Sequence, residues 1–373
     1  MHKFLTLLSL AFGFVTSANA IDVHASQAYM VDFNTGTILL EKNADQKMVP
    51  SSMSKIMTAH LVFERLKSGD TKLDDNLYVS EKAWKMGGSK MFVQINSQVS
   101  VGDLIQGVIV QSGNDACIVL AEGLSGTEES FAEEMTRKAH EMGATNSTFL
   151  NSTGWPDEGH LTTAKDLALI AEKTIRDFPD AYTKYYGLKE FAYNNIKQGN
   201  RNTLLSKGAD GMKTGHTDAG GYGIVASKEQ DGRRLILVIN GLPTSKDRDQ
   251  EATALLNWGF SYFKNYKIYG KGDVVDVADV WSGAETTVQL VAGQDIIITL
   301  PRSQRKELQV KVVYNSPVAA PIKAGDKVGT LEVTVPEKGV QKIPLHAAND
   351  VKMAGFFQRI GNSIHYLLWG KHS

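Results

Sequence analysis

The hydrophobic pattern of this 373-residue chain turns to short strand-like alternations near residue 263, and that change restricts the architecture more than any other feature. Beyond it, residues 273–277, 286–291, 309–313 and 330–335 are short β-branched alternations bounded by Gly, Pro, Asn or Asp, the pattern of half-buried strands. A small all-β domain is therefore expected over 263–348. Upstream, residues 21–262 mix helical and strand signals. Pro50 precedes a run in which Met53, Ile56, Met57, His60, Leu61 and Phe63 recur at helical spacing, so a helix is expected to begin just after Pro50. Another is expected over 130–142. Strand signals over 221–226 and 234–240 flank Asp231-Gly232, a two-residue hairpin signal. The length, at roughly 150 residues per domain, also asks for two domains.

The two ends read differently from the rest. Lys3 precedes an almost wholly apolar stretch over 4–15, and Ala18-Asn19-Ala20 closes it with small residues, so residues 1–20 are expected to be a secretory signal removed on export. The apolar run of about 12 residues is too short to span a bilayer. In 349–373, at 100° per residue, Met353, Phe356, Phe357, Ile360, Ile364, Leu367 and Leu368 fall within about 120° of one another. Lys352, Gln358, Arg359, Asn362, Ser363 and His365 lie opposite. An amphipathic helix is expected there, and with Tyr366, Trp369, Arg359 and Lys371 it has the make-up of an anchor lying on a membrane surface.

Composition removes several classes of function. Forty basic against 41 acidic side chains give a net charge of −1, and the basic residues are scattered, so nucleic acid is not an expected partner. Cys117 is the lone cysteine, which excludes an intramolecular disulfide and a cysteine-clustered metal site; a buried structural thiol is expected. His60, His140 and His160 lack metal-ligand spacing, so neither metal nor another cofactor is expected.

An uncharged serine is a poor nucleophile and needs a base within hydrogen-bond reach, which residues three apart on one helical face can supply. Ser52-Met53-Ser54-Lys55 meets that spacing at the expected helix start, where backbone N–H groups and the helix dipole favour an oxyanion. Ser261 with Lys264 and Ser303 with Lys306 repeat the spacing, but in the segment joining the domains and among strands. Two further elements single out the first. Ser112-Gly113-Asn114 follows the apolar run Val108-Ile109-Val110, and Lys213-Thr214-Gly215 precedes the expected hairpin strands. Lys67-Ser68-Gly69, a rival for the latter, reads as a helix stop. The ordered set S-x-x-K, S-x-N, K-T-G is the signature of active-site-serine penicillin-recognising enzymes.

The segments Pro50-Ser51-Ser52-Met53-Ser54-Lys55-Ile56-Met57-Thr58, Gln111-Ser112-Gly113-Asn114-Asp115-Ala116-Cys117 and Asp210-Gly211-Met212-Lys213-Thr214-Gly215-His216-Thr217 resemble the motif regions of the low-molecular-mass penicillin-binding D-alanyl-D-alanine carboxypeptidases. The resemblance covers nearly the whole chain, with Thr162-Thr163-Ala164-Lys165-Asp166-Leu167-Ala168 and Gly199-Asn200-Arg201-Asn202 included. It implies an α+β catalytic domain of the β-lactamase and penicillin-binding-protein type over 21–262, with helices packed on an antiparallel sheet, followed by the all-β domain and the amphipathic helix. It also implies removal of the terminal D-Ala from peptidoglycan stem pentapeptides at the periplasmic face of the cytoplasmic membrane, with β-lactams trapping the acyl-enzyme.

Under that reading Ser52 attacks the penultimate carbonyl and Lys55 takes its proton, which requires a Lys55 neutral part of the time; burial beside Lys213 would push it that way. Ser112 relays a proton to the departing amine and Asn114 orients Lys55 and the substrate amide. The resemblance implies an oxyanion hole from the N–H groups of Ser52 and His216, and lays Lys213, Thr214, Gly215, His216 and Thr217 along the substrate. For the terminal carboxylate, Thr214, Thr217 and Arg248 fit by family position, with Arg201 as a second candidate. A β-lactamase is the nearest alternative, but the E-x-x-L-N segment usual in the class A enzymes does not occur between Asn114 and Lys213. A non-catalytic penicillin-binding or wall-binding protein is the other, and the intact Ser52, Lys55, Ser112 and Lys213 disfavour it.

Overall fold

The strand Gln27–Asp32 (β1) is buried at every position, which happens only when both faces of a sheet are covered. The computed structural model, which describes residues 21–336 and 338–356, shows how. β1 lies within a five-stranded antiparallel sheet with Ile38–Lys42 (β2), Gly211–Thr217 (β3), Gly221–Gln230 (β4) and Arg233–Leu242 (β5), in the order β2-β1-β5-β4-β3. Alternate residues point to opposite faces. Tyr29, Val31, Val225, Ile236 and Val238 join one core with the helices Lys55–Ser68 (α1), Asn114–Ser125 (α2), Glu128–Glu141 (α3) and Ala164–Asp177 (α4). Ala28, Met30, Ile224, Ala226, Leu235 and Leu237 join the second core, closed by Ala252, Leu255 and Leu256 of the helix Ser245–Tyr262 (α5). Thr127, Thr163 and Thr244 cap α3, α4 and α5, each accepting from a first-turn N–H.

The expected hairpin is present: β4 and β5 join through Asp231 and Gly232, whose φ of 52° and 72° are those of a tight primed turn. The helix after Pro50 starts with one 3-10 turn, Ser51–Ser54, before α1 takes over. Gly69, in left-handed conformation with φ 84°, ends α1, so Lys67-Ser68-Gly69 is indeed a stop.

Helix α5 leads without a linker into the strand Phe263–Tyr269, and a third core then gathers around Leu290, Leu331, Val333 and Leu345. All four anticipated strands occur, as Val274–Trp281, Thr287–Ala292, Gln309–Val313 and Lys327–Val335. Gly339–Ala347 completes the main sheet although its exposed Gln341 and Lys342 and half-buried His346 hide the alternation, and Ile296–Pro301 pairs with Phe263–Tyr269. This domain's contacts run past residue 348. Val351 bridges Ile322 and is buried, and Met353, counted above on the apolar face of a helix, bridges Gly283 instead. The expected secretory segment 1–20 and the expected helix beyond Phe356 lie outside the described residues. Among the described residues no helix is long and apolar enough to cross a membrane.

Candidate active site

The 3-10 turn Ser51–Ser54 sets Ser52 one turn ahead of Lys55, and Lys55 Nζ lies 2.9 Å from Ser52 Oγ. Lys55 is almost wholly buried, and its amine donates to Asn114 Oδ1 at 2.7 Å and to the Thr153 carbonyl at 2.5 Å. Burial, with Arg201 adding positive potential, pushes it from the ordinary 10.5 down to about 8. Cys117 lies behind it, and burial pushes that thiol up to about 12, so it is neutral and supplies no counter-charge near neutral pH. The buried structural thiol anticipated from sequence is what the fold contains.

Ser112 arrives by another route. A π-helical turn, Gly107–Gln111, ends in Ser112 at a left-handed φ of 66°, and α2 begins two residues later at Asn114. Such turns and left-handed non-glycine residues store strain that functional sites use. Ser112 Oγ is buried and, among the described residues, has no hydrogen-bond partner. Asn114 Nδ2 donates to the Gly87 carbonyl at 2.9 Å, which fixes the amide so that its oxygen faces Lys55. The adjoining Asp115, fully buried, accepts from the backbone N–H groups of Met91, Phe92 and Val93 and pins segment 87–93 to the head of α2.

Lys213 lies within the edge strand β3, ahead of the hairpin strands β4 and β5 as expected. It is buried, donates to the Thr214 carbonyl at 3.1 Å, and is held well below the ordinary lysine range by burial first, then by Lys55 and Arg201. Lys55 thus disfavours charge on Lys213, whereas Arg201, and not the Lys213 anticipated from sequence, is the cation that most lowers Lys55. Gly215 lets β3 pass close to the Ser51–Ser54 turn, because a Cβ there would fall 3.1 Å from the Pro50 carbonyl oxygen. His216 stacks on Tyr222 with ring centroids 3.9 Å apart. Thr217 Oγ1 accepts from Ser51 Oγ at 3.2 Å and from Gly220 N at 3.0 Å.

One cleft of about 510 Å³ collects Ser52, Ser112, Thr214, His216, Arg201 and Arg248. Sequence motifs as far apart as Ser52 and Thr214 therefore share a wall, and both candidate arginines reach it; Thr217 stands beside it, tied to Ser51 of the turn that carries Ser52. The rival pairs are elsewhere: Ser261 ends α5 with its hydroxyl on the Trp258 carbonyl, and Ser303 is exposed in the 3-10 turn Arg302–Glu307.

The segment carrying the Thr153 carbonyl escaped sequence analysis. Asn151 Oδ1 accepts from the N–H groups of Thr153, Gly154 and Trp155, while Glu128 takes Ser152 N and Oγ. His160 Nδ1 accepts from Leu150 N, which leaves Nε2 to donate to Ser54 Oγ at 3.0 Å; burial pushes this ring down to about 4, so it is neutral. At Gly154, φ is +77° and a Cβ would fall 1.8 Å from the Ser51 carbonyl oxygen, so only glycine fits. The Asn-x-x-Gly spacing of a side-chain-closed turn was the available signal. Among the described residues no group of three or more His, Cys, Asp or Glu could hold a metal ion.

Comparison with known proteins agrees with this geometry. Residues 14–244 match the family described as D-alanyl-D-alanine carboxypeptidase, and residues 263–353 match the family described as penicillin-binding protein 5, C-terminal domain. The D-alanyl-D-alanine carboxypeptidase DacC of Escherichia coli is 39% identical over 94% of this chain and 90% of its own. The crystal structure of penicillin binding protein 5 from Haemophilus influenzae superposes with a TM-score of 0.81 at 37% identity, covering 90% of this chain and 99% of that one. Penicillin-binding protein D2 from Listeria monocytogenes, solved in an ampicillin-bound form, is 29% identical with a TM-score of 0.60 over 65% of this chain and 99% of its own. With both domains matched in order and a relative aligned along almost its full length, this chain belongs to the D-alanyl-D-alanine carboxypeptidase family.

Proposed function

We propose that this enzyme removes the terminal D-Ala from peptidoglycan stem pentapeptides through an acyl-enzyme on Ser52. The observation that carries the assignment of roles is the contact of 2.9 Å between Ser52 Oγ and a Lys55 pushed down to about 8 by burial. Neutral Lys55 keeps two N–H bonds on Asn114 Oδ1 and the Thr153 carbonyl, and its lone pair is left for the Ser52 proton. Ser52 Oγ then bonds to the penultimate carbonyl carbon, and the oxyanion forms at the start of α1 against the backbone N–H groups of Ser52 and His216. Ser112 passes a proton to the amine as the C–N bond breaks and D-Ala leaves. Water hydrolyses the ester in a second step. Lys213, Thr214, Gly215 and Thr217 line the departing residue, and Arg248, with Arg201 beside the same cleft, takes its carboxylate.

A β-lactam acylates the same serine and stays, a reading supported by the ampicillin-bound Listeria relative. The enzyme works on the outer side of the cytoplasmic membrane, after export directed by residues 1–20, with its C-terminal segment on the membrane surface. The test is release of D-Ala from diacetyl-Lys-D-Ala-D-Ala, with Ser52→Ala alongside. Release by the unaltered enzyme and none by the variant is expected; no release from either overturns the proposal. Rapid penicillin turnover without a stable adduct in the mass spectrum would instead identify a β-lactamase.

A further inference from the structure

Arg248 is buried in the first turn of α5, and its partner is its own neighbour in sequence. Residues i and i+1 of a helix point about 100° apart and do not ordinarily meet. Here Arg248 Nε donates to Asp249 Oδ1 at 2.8 Å and Nη2 lies 2.7 Å from the same oxygen, so both side chains bend to a common point. The other carboxylate oxygen of Asp249 accepts from Thr203 Oγ1 at 2.7 Å. Thr203 opens a 3-10 turn, Thr203–Lys207, capped by Asn202, and Lys207 Nζ donates to Thr253 Oγ1 at 3.3 Å, a second tie from that turn to α5. Thr203, Arg248 and Asp249 all line the cleft that holds Ser52.

An acid inside a site for an anion is costly, since its charge opposes the ligand, and it weakens the pull of the arginine beside it. What it supplies is direction. A guanidinium has two edges that take a carboxylate in the bidentate manner, Nε with Nη2 and Nη1 with Nη2. Asp249 occupies the first, so a second carboxylate must approach the terminal edge. The chain from Thr203 through Asp249 to Arg248 therefore fixes which edge is offered and ties it to the segment that carries Arg201.

We propose that Asp249, braced by Thr203, is the positioning residue that presents Arg248 to the C-terminal carboxylate of the substrate and so sets the preference for peptides ending in a free acid. This rests on Arg248 being the carboxylate partner. Asp249 touches no reacting atom. Its loss therefore acts on recognition of the terminus, and leaves the proton transfer between Ser52 and Lys55 in place.

The experiment compares kcat and KM for diacetyl-Lys-D-Ala-D-Ala and for the same peptide ending in a carboxamide, in the unaltered enzyme and in Asp249→Asn, Asp249→Glu, Thr203→Val and Arg248→Ala. Asp249→Asn is expected to lower the acid-over-amide ratio of kcat/KM about tenfold, the worth of one charge-assisted contact, chiefly through KM. Thr203→Val lowers it less, and Asp249→Glu, which keeps the carboxylate, restores most of it. Arg248→Ala collapses the ratio outright. If Arg248→Ala collapses it while Asp249→Asn and Thr203→Val preserve it, Arg248 keeps its role and the proposal falls. Equal losses on acid and amide in Asp249→Asn make the residue merely structural, which also overturns it. An unchanged ratio in Arg248→Ala removes the carboxylate reading itself, and the proposal with it.

Discussion

Lys55 holds two fixed acceptors, Asn114 Oδ1 and the Thr153 carbonyl, and the hydroxyl of the proposed nucleophile, Ser52. Three N–H bonds of an ammonium fill all three directions, whereas the neutral amine keeps two and turns its lone pair to Ser52, so one geometry serves both protonation states. The pH dependence follows from burial. Acylation needs the neutral form, so its rate should rise with pH on a limb near 8, the value to which burial pushes Lys55. Because Lys213 is also held low, by burial first and then by Lys55, the two amines titrate as a coupled pair and the limb belongs to both. Stability carries the same signature with a defined sign. Between about 8 and the ordinary 10.5 the unfolded chain keeps a proton on Lys55 that the fold has lost, so the contribution of Lys55 to folding stability grows with pH across that window. Stopped-flow acylation by a chromogenic cephalosporin from pH 6 to 10 measures the first; a flat profile would remove Lys55 as the base.

At the scale of elements, the parts legible in the sequence are those that need particular side chains in unbroken strings. The Ser52-Met53-Ser54-Lys55 turn, the Ser112-Gly113-Asn114 corner and the Lys213-Thr214-Gly215 run are such strings, and the hairpin at Asp231-Gly232 announces itself through turn chemistry. What stayed hidden acts through backbone. The Gly87 carbonyl has no residue-type signature, that of Thr153 is marked only indirectly by the turn from Asn151 to Gly154, the π turn before Ser112 follows an apolar run that fits several conformations, and the strand character of Lys213 depends on pairing with β4. Asp115 lies between the two cases, being visible within a motif while its task is not. Its carboxylate satisfies three N–H groups of segment 91–93, the same segment that continues from the Gly87 carbonyl holding Asn114. Asp115→Ala leaves the N–H groups of the buried Met91 and Val93 without their acceptor and frees that of the exposed Phe92, and should cost about 3 kcal/mol of stability, the scale of orphaned buried donors that had bonded a charged group. Urea unfolding measures it, and a loss below about 1 kcal/mol would mean that the segment finds other partners.

The two domains of the whole molecule meet without a flexible linker. Phe263, the C-cap of α5, is already the first residue of a strand, and its carbonyl accepts from Arg233, which pairs with the fully buried Asp32 at 2.6 Å. Asn265 donates to that same aspartate, and Thr35 meets Thr299 hydroxyl to hydroxyl at 2.6 Å, so both domains share one polar network. A β domain fixed in this way is held rigidly against the catalytic domain. The place to cut the C-terminal segment is decided by packing. Val351 and Ala354 are buried in the β domain, and Ala354 N donates to the Ser282 carbonyl at 2.8 Å, so truncation after Asn349 would damage the third core. Truncation after Gly355 spares it and removes Phe356 through Ser373, the run carrying most of the apolar stripe with Trp369, Arg359 and Lys371. Residues 21–373 should co-sediment with vesicles containing phosphatidylglycerol, and the chain ending at Gly355 should remain in the supernatant while still releasing D-Ala from the soluble peptide. Equal sedimentation of the two chains would place membrane attachment elsewhere and leave the stripe as a face packed within the protein.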